Sequence, residues 1–187
     1  MKSIKFNTEM VQALMKGRKT VTRRKIKPQA NSIRWDMTAF PNGWCDEHGY
    51  QRKAPYQVGD ELYVQETFCY DDFDNGGETI YYKANFGARH IKELFTDCNM
   101  KWQPSIHMEK EEARIFLKVT DVRVERLQDM NADDAEKEGI FYLGAPPSQY
   151  IAAFIVLWNS TVKTDELYLY GAHANPWVWV IEFERIK

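Results

Sequence analysis

Residues 16–27 place seven cations, two threonines and one glycine in twelve positions, and no Asp or Glu occurs between positions 10 and 34. The chain as a whole has a formal net charge of -2, so this positive field is local and would attract an anion such as a phosphate. The same run also reads as a solvated helix end, where cations are favoured. Lys19 and Thr22 give it a chemical alternative. A threonine hydroxyl is a poor nucleophile until a base removes its proton, and a lysine serves as that base only if burial or neighbouring cations lower its pKa. Arg18 and Arg23 are placed to supply that push. A glutamate within reach would then carry the proton to the leaving group.

The elements that must position these residues follow from periodicity. A short strand is predicted over 3–6, followed by Asn7 or Thr8 as helix N-cap and Glu9 in the first turn. Met10, Val11, Leu14 and Met15 recur at helical spacing, so a helix should run to about Lys16 and stop at Gly17. The β-branched residues at 20–22 then open a strand. Residues 25–55 read as an inserted loop packed by its aromatics, and 84–108 as part of a second poorly patterned insertion, at about 71–108. Strands are predicted at 61–68, where Leu62, Val64 and Glu66 share a face, at 80–83 after a turn at 75–77, and at 114–127, with a bend near Asp121. A short acidic helix should start at Asn131 or Ala132 and close at Gly139. An apolar helix should cover 150–158, started by Pro147 and Ser148, and a last strand should carry Trp177, Trp179, Ile181 and Phe183 on one side. Many strands, few helices and no βαβ alternation indicate an α+β fold: a compact, mostly antiparallel β-barrel with flanking helices.

Composition narrows the classes. The balance of 25 basic against 27 acidic residues argues against bulk electrostatic binding of nucleic acid and for a local anion site. The three cysteines are widely spaced and form no Cys-x-x-Cys pair, so neither a disulfide framework nor a zinc site is expected. The four histidines are too dispersed for a metal site, and no cofactor is expected. The cysteine usage and the lack of a signal-like or membrane-spanning apolar run suit a cytoplasmic chain without membrane association. Nothing in the composition identifies a protein partner. With 187 residues a single domain, spanning 1–187, is the simplest organisation.

The run Gly17, Arg18, Lys19, Thr20, Val21, Thr22, Arg23, the turn Val58, Gly59, Asp60, the valine-rich strand leading to Ala135, Glu136, Lys137, Glu138, Gly139, and the closing segment at 179–183 together resemble an ASCH domain of the PUA-like superfamily. The segments 102–108 and 175–179 resemble those of longer bacterial and phage-borne members, so the likeness covers nearly the whole chain. The resemblance implies a PUA-like β-barrel with a cleft, and a nucleoside or single-stranded RNA as partner. Smaller bacterial members are amidohydrolases that remove acetate from N(4)-acetylcytidine with a lysine, a threonine three residues on and a downstream glutamate. The matching positions are Lys19, Thr22 and Glu138. Other members are described as ribonucleases or as noncatalytic RNA-binding modules. This chain departs from the small enzymes by its insertions at about 25–55 and 71–108.

In the hydrolytic reading Thr22 is the nucleophile, Lys19 the base and Glu138 the acid/base; in an equally simple variant Glu138 or Lys19 activates water and Thr22 orients the substrate. Each residue also has a plain role: Lys19 and Glu138 as a salt bridge, Thr22 as a strand residue, Glu138 as part of a solvated helix face. Substrate or RNA contacts are expected from Arg18, Arg23, Arg24, Glu66, Trp158, Asn175 and Trp177. Trp158 and Trp177 are candidates to stack on a base, or ordinary core residues. Glu66 breaks an apolar alternation, so it either reaches solvent or is buried with a cation such as Arg23.

Overall fold

The computed structural model describes residues 1–36, 38, 43–72, 78–86, 101–142 and 144–186. Among the described residues the strands are β1 (Lys2–Lys5), β2 (Val21–Lys25), β3 (Ile33–Asp36), β4 (Gly43–Asp46), β5 (Gln51–Arg52), β6 (Glu61–Gln65), β7 (Phe68–Asp72), β8 (Glu78–Tyr82), β9 (Phe116–Arg126) and β10 (Trp177–Arg185). The helices are α1 (Thr8–Met15), α2 (Ala132–Lys137), α3 (Pro147–Ser160) and the one-turn α4 (Leu167–Tyr170). The class is α+β. A mixed sheet runs in the order β1, β6, β9, β10, β2; β3, β4 and β5 form a separate three-stranded sheet, and β7 and β8 a hairpin. Only the β1–β6 pair is parallel among the strand pairs for which a register is described.

The chain divides into two compact units. The first comprises residues 1–18, 60–118 and 184–187. In it α1 begins at Asn7, whose side chain accepts a hydrogen bond from the Met10 N–H at 2.9 Å, and it buries Val11, Ala13 and Leu14. Gly17 follows at φ 69°, the left-handed conformation that ends a helix, and the Arg18 N–H closes onto the Ala13 carbonyl. β1 pairs with β6 from Lys2↔Leu62 to Lys5↔Gln65, and Leu62 and Val64 are buried with Ile4 and Leu117. Glu66 is buried as well, but its partner is Arg114 and not Arg23. Arg114 Nε and Nη2 reach the two carboxylate oxygens at 2.8 and 2.9 Å, a bidentate pair that offsets the cost of burying the charge. The turn expected at 75–77 lies outside the described residues.

The second unit comprises residues 19–59 and 119–183. β2 pairs antiparallel with β10 from Val21↔Glu182 to Lys25↔Val178. Val21, Val178 and Val180 lie in one core cluster with Leu127, Ala135 of α2, and Phe154 and Trp158 of α3. The opposite face of β10 is covered too: Trp179, Ile181 and Phe183 are buried, and Trp179 meets Trp44 edge-on at 6.2 Å between ring centroids. β10 is therefore buried on both faces rather than on the single face its alternation predicts. The segment read from sequence as an inserted loop is a three-stranded sheet in its described part, and aromatics do pack it: Trp35 and Trp44 are register partners with centroids 5.4 Å apart. β9 is one uninterrupted strand whose in–out burial alternation fades after Thr120.

α2 is six residues long, too short to hold itself together by propensity. A reciprocal capping box starts it: the Asn131 side chain accepts from the Asp134 N–H at 2.9 Å, and the Asp134 carboxylate accepts from the Asn131 N–H at 3.1 Å. Gly139, at φ 100°, ends it. Replacing Asn131 by Ala should cost about 1 kcal/mol and lower the thermal midpoint by roughly 2–4 °C for a chain of this size. Thermal unfolding followed by circular dichroism checks this; an unchanged midpoint would refute the role given to the cap.

Candidate functional site

Strand alternation sorts the cations of β2. Val21, Arg23 and Lys25 share the face that meets Val178 and Val180, while Thr22 and Arg24 share the face of Trp179 and Ile181. Lys19 precedes the strand and folds along its outer edge. Its ammonium donates to the carbonyl of Val21 at 2.7 Å, to the carbonyl of Glu138 at 2.8 Å and to the Glu138 carboxylate at 2.8 Å. The Thr20 N–H donates to the carbonyl of Lys137 at 2.9 Å. Residues 19 and 20 thus satisfy the last carbonyls of α2, where a cation also opposes the negative end of the helix.

The Lys19–Glu138 pair is sealed from solvent, with side-chain exposures of 0% and 2%. Asp134 and Glu138 lie one turn apart on the face of α2 that meets β2. Arg23, buried, reaches Glu138 and Glu125 at 3.4 Å and Asp134 at 3.5 Å. Glu138 is therefore not on the solvated helix face, which belongs to Asp133, Glu136 and Lys137. Burial is the largest influence on Lys19 and drives its amine below the ordinary lysine pKa. The Glu138 carboxylate opposes this, and the Arg24 and Arg23 guanidinium groups add to it. Thr22 is buried on the other face.

At the end of β2, around Arg24 to Lys27, a cleft of about 620 Å³ opens. Five cations line it, Arg24, Lys25, Lys27, Arg52 and Lys53, together with Tyr56 and Trp179 and no carboxylate. Two acids behind the wall temper the charge. Glu166 bridges Lys25 at 2.9 Å and Lys27 at 2.5 Å, and Asp46 holds Arg52 at 2.6 Å. Lys53 makes no ion pair among the described residues. Arg24 joins the two regions: it lines the cleft, its charge acts on Lys19, and Glu138 acts on it in turn. Thr22 sits two positions before Arg24 on the same strand face, about 7 Å away along the strand.

Of the expected contact residues, Arg24 lines this cleft and the others do other work. Arg18 belongs to the first unit and ends α1; Glu66 belongs there too, held by Arg114. Arg23 is buried among acids. Trp158 cannot stack on a ligand: it is buried, and its Nε1 donates to the Tyr170 carbonyl at 2.7 Å. Asn175 takes a left-handed conformation at φ 48°, and its side chain accepts from the Gln128 N–H at 2.9 Å. The half-buried Trp177 is covered by the Arg126 guanidinium, 4.1 Å from its ring centroid. Arg52, Lys53 and Tyr56 were missed. The adjacent cations Arg52 and Lys53 between Tyr50 and Tyr56 were the available signal, masked by the turn residues around them. No group of three or more potential metal ligands occurs among the described residues, and no helix among them is long and apolar enough to cross a membrane.

Comparison of the chain with protein-family models, with curated proteins and with solved structures gave no match.

Two expectations follow from the electrostatics. Replacing Glu138 by Gln strands the Lys19 charge in a dry site and should cost about 3–5 kcal/mol. The Lys19→Met, Glu138→Leu double variant should be less destabilised than the sum of its single variants, as urea unfolding would read out; additive single variants would contradict the coupling. Hydrogen bonds from Lys27 and Lys25 pull the Glu166 carboxyl down to about 2 from its ordinary 4.5. A carboxyl depressed on folding contributes stability that is complete above pH 4.5 and disappears as pH falls toward 2. The thermal midpoint of Glu166→Gln should therefore lie below that of the native protein at neutral pH, and the gap should close through this acid window.

Proposed function

We propose that the protein binds a nucleoside- or RNA-type ligand in the cleft beside β2, as a PUA-like β-barrel domain of the ASCH kind. The observation that carries this reading is the cleft wall itself: five cations beside two aromatic rings, with no acid among them. Cations of this kind take phosphate, and aromatic faces take a base of any sequence. The volume lies within the usual range of ligand sites. Binding of a labelled single-stranded RNA of about ten nucleotides, followed by fluorescence anisotropy, tests it. With about four phosphate contacts the affinity should fall more than tenfold as monovalent salt rises from about 50 to about 200 mM. Lys53→Ala should flatten the salt slope by about 0.7. Affinity indifferent to salt, or no binding, would count against this function.

A second reading, hydrolysis of an N(4)-acylated cytidine, is favoured by the depressed Lys19 amine and its buried carboxylate partner Glu138. Three acceptors surround the ammonium, so its lone pair becomes available only when a proton has moved to Glu138. Thr22 Oγ would then attack the acyl carbon while its proton passes to Lys19. The carbon–nitrogen bond breaks, the amine leaves as cytidine with the proton returned to it, and water cleaves the resulting ester to acetate. Incubation with N(4)-acetylcytidine in metal-free buffer should release cytidine and acetate, and Thr22→Val should lower the rate at least about 100-fold with little loss of stability. An inert native protein, or an equally active Thr22→Val, defeats this reading.

A further inference from the structure

A second cleft of about 530 Å³ adjoins the first, and Gln51, Arg52, Lys53 and Tyr56 line both. Its remaining wall includes Trp35, Trp44 and Val58. Trp35 is an apolar ring with 52% of its surface in solvent. It stands at 80° to Trp44, and Trp44 stands at 74° to Trp179 in the first cleft. A chain of three indoles therefore leads from one cleft to the other, with the guanidinium of Arg52 and the ammonium of Lys53, which has no ion pair among the described residues, at the junction. An exposed aromatic face beside a phosphate-sized cationic point is what one nucleotide needs: the phosphate at the junction, the base against the ring.

We propose that this second cleft is a nucleobase-stacking subsite that makes the protein selective for single-stranded over double-stranded RNA. The inference rests on the RNA-binding reading above and adds to it what the inserted sheet is for. A paired base presents only its edge to a groove, because its faces are covered by its neighbours in the stack. An unpaired base can turn a face toward Trp35. The cations at the junction serve either form of RNA, whereas the indole serves one.

Full-length protein titrated with three probes separates these contributions: a ten-nucleotide single strand, the same strand in a duplex, and an abasic strand with the same phosphates. The single strand should bind at least tenfold more tightly than the other two. Trp35→Ala should weaken it about tenfold while leaving duplex and abasic binding unchanged, and Trp35→Phe should restore most of the loss. Lys53→Ala should weaken all three probes alike. Equal affinity for single strand and duplex, or single-strand affinity untouched by Trp35→Ala, overturns the subsite and leaves the cationic cleft standing. Failure of every probe to bind overturns both.

Discussion

Lys19 meets Glu138 across 119 positions of sequence, and the contact solves two problems at once. β2 lies at the end of its sheet, so among the described residues one edge of its backbone has no neighbouring strand. α2, a six-residue helix, ends with carbonyls that no further turn can satisfy. The lysine ammonium serves the Val21 carbonyl on one side and the Glu138 carbonyl and carboxylate on the other. Burying two opposite charges costs about as much solvation as their attraction returns. The pair is therefore better understood as fixing where α2 sits on β2 than as a large net source of stability.

The positions of the remaining cations follow from that anchoring. With Val21 turned into the core and β2 locked against β10, the period-2 repeat sends Arg23 toward Asp134, Glu138 and Glu125, and sends Arg24 to the opposite face beside Trp179. One basic run thus divides into a neutralised interior group and a group facing a cleft. Glu166 and Asp46 stand behind the cleft cations and hold three of them in place, which lowers the side-chain entropy an incoming anion would otherwise have to remove.

What was legible in the sequence was local. α1 announced itself by Asn7, its apolar spacing and Gly17; α2 by Asn131 and Gly139; α3 by Pro147; β10 by its alternating aromatics. What was not legible depended on partners distant in sequence. Glu66 is a buried acid whose cation, Arg114, lies 48 positions away, and no rule of spacing separates it from Arg23 as a candidate. Glu138 shares its helix with exposed acids, and only the approach of β2 distinguishes its face from theirs. The segment 33–52 contains strands four, four and two residues long. Strands this short carry too few alternations to rise above the turn residues that separate them. Trp158 and Trp177 looked alike as stacking candidates, but a core carbonyl claims one and an arginine covers the other.

A depressed lysine beside an acid marks many catalytic sites, but structural ion pairs depress lysines too. Access is the physical difference between the two uses. Lys19, Thr22 and Glu138 are all buried, and the cleft wall includes Arg24 but none of the three. A scissile bond would reach Thr22 only if the edge of β2 or the end of α2 moved, and that movement would break the contacts that position α2. The phosphate and base contacts proposed for Arg24, Lys53, Tyr56 and Trp35 would use clefts that are already open. Binding is thus the function that requires no rearrangement. Chemistry at Lys19, Thr22 and Glu138 would require the ligand to supply, from its own binding free energy, the opening that the network at β2 resists.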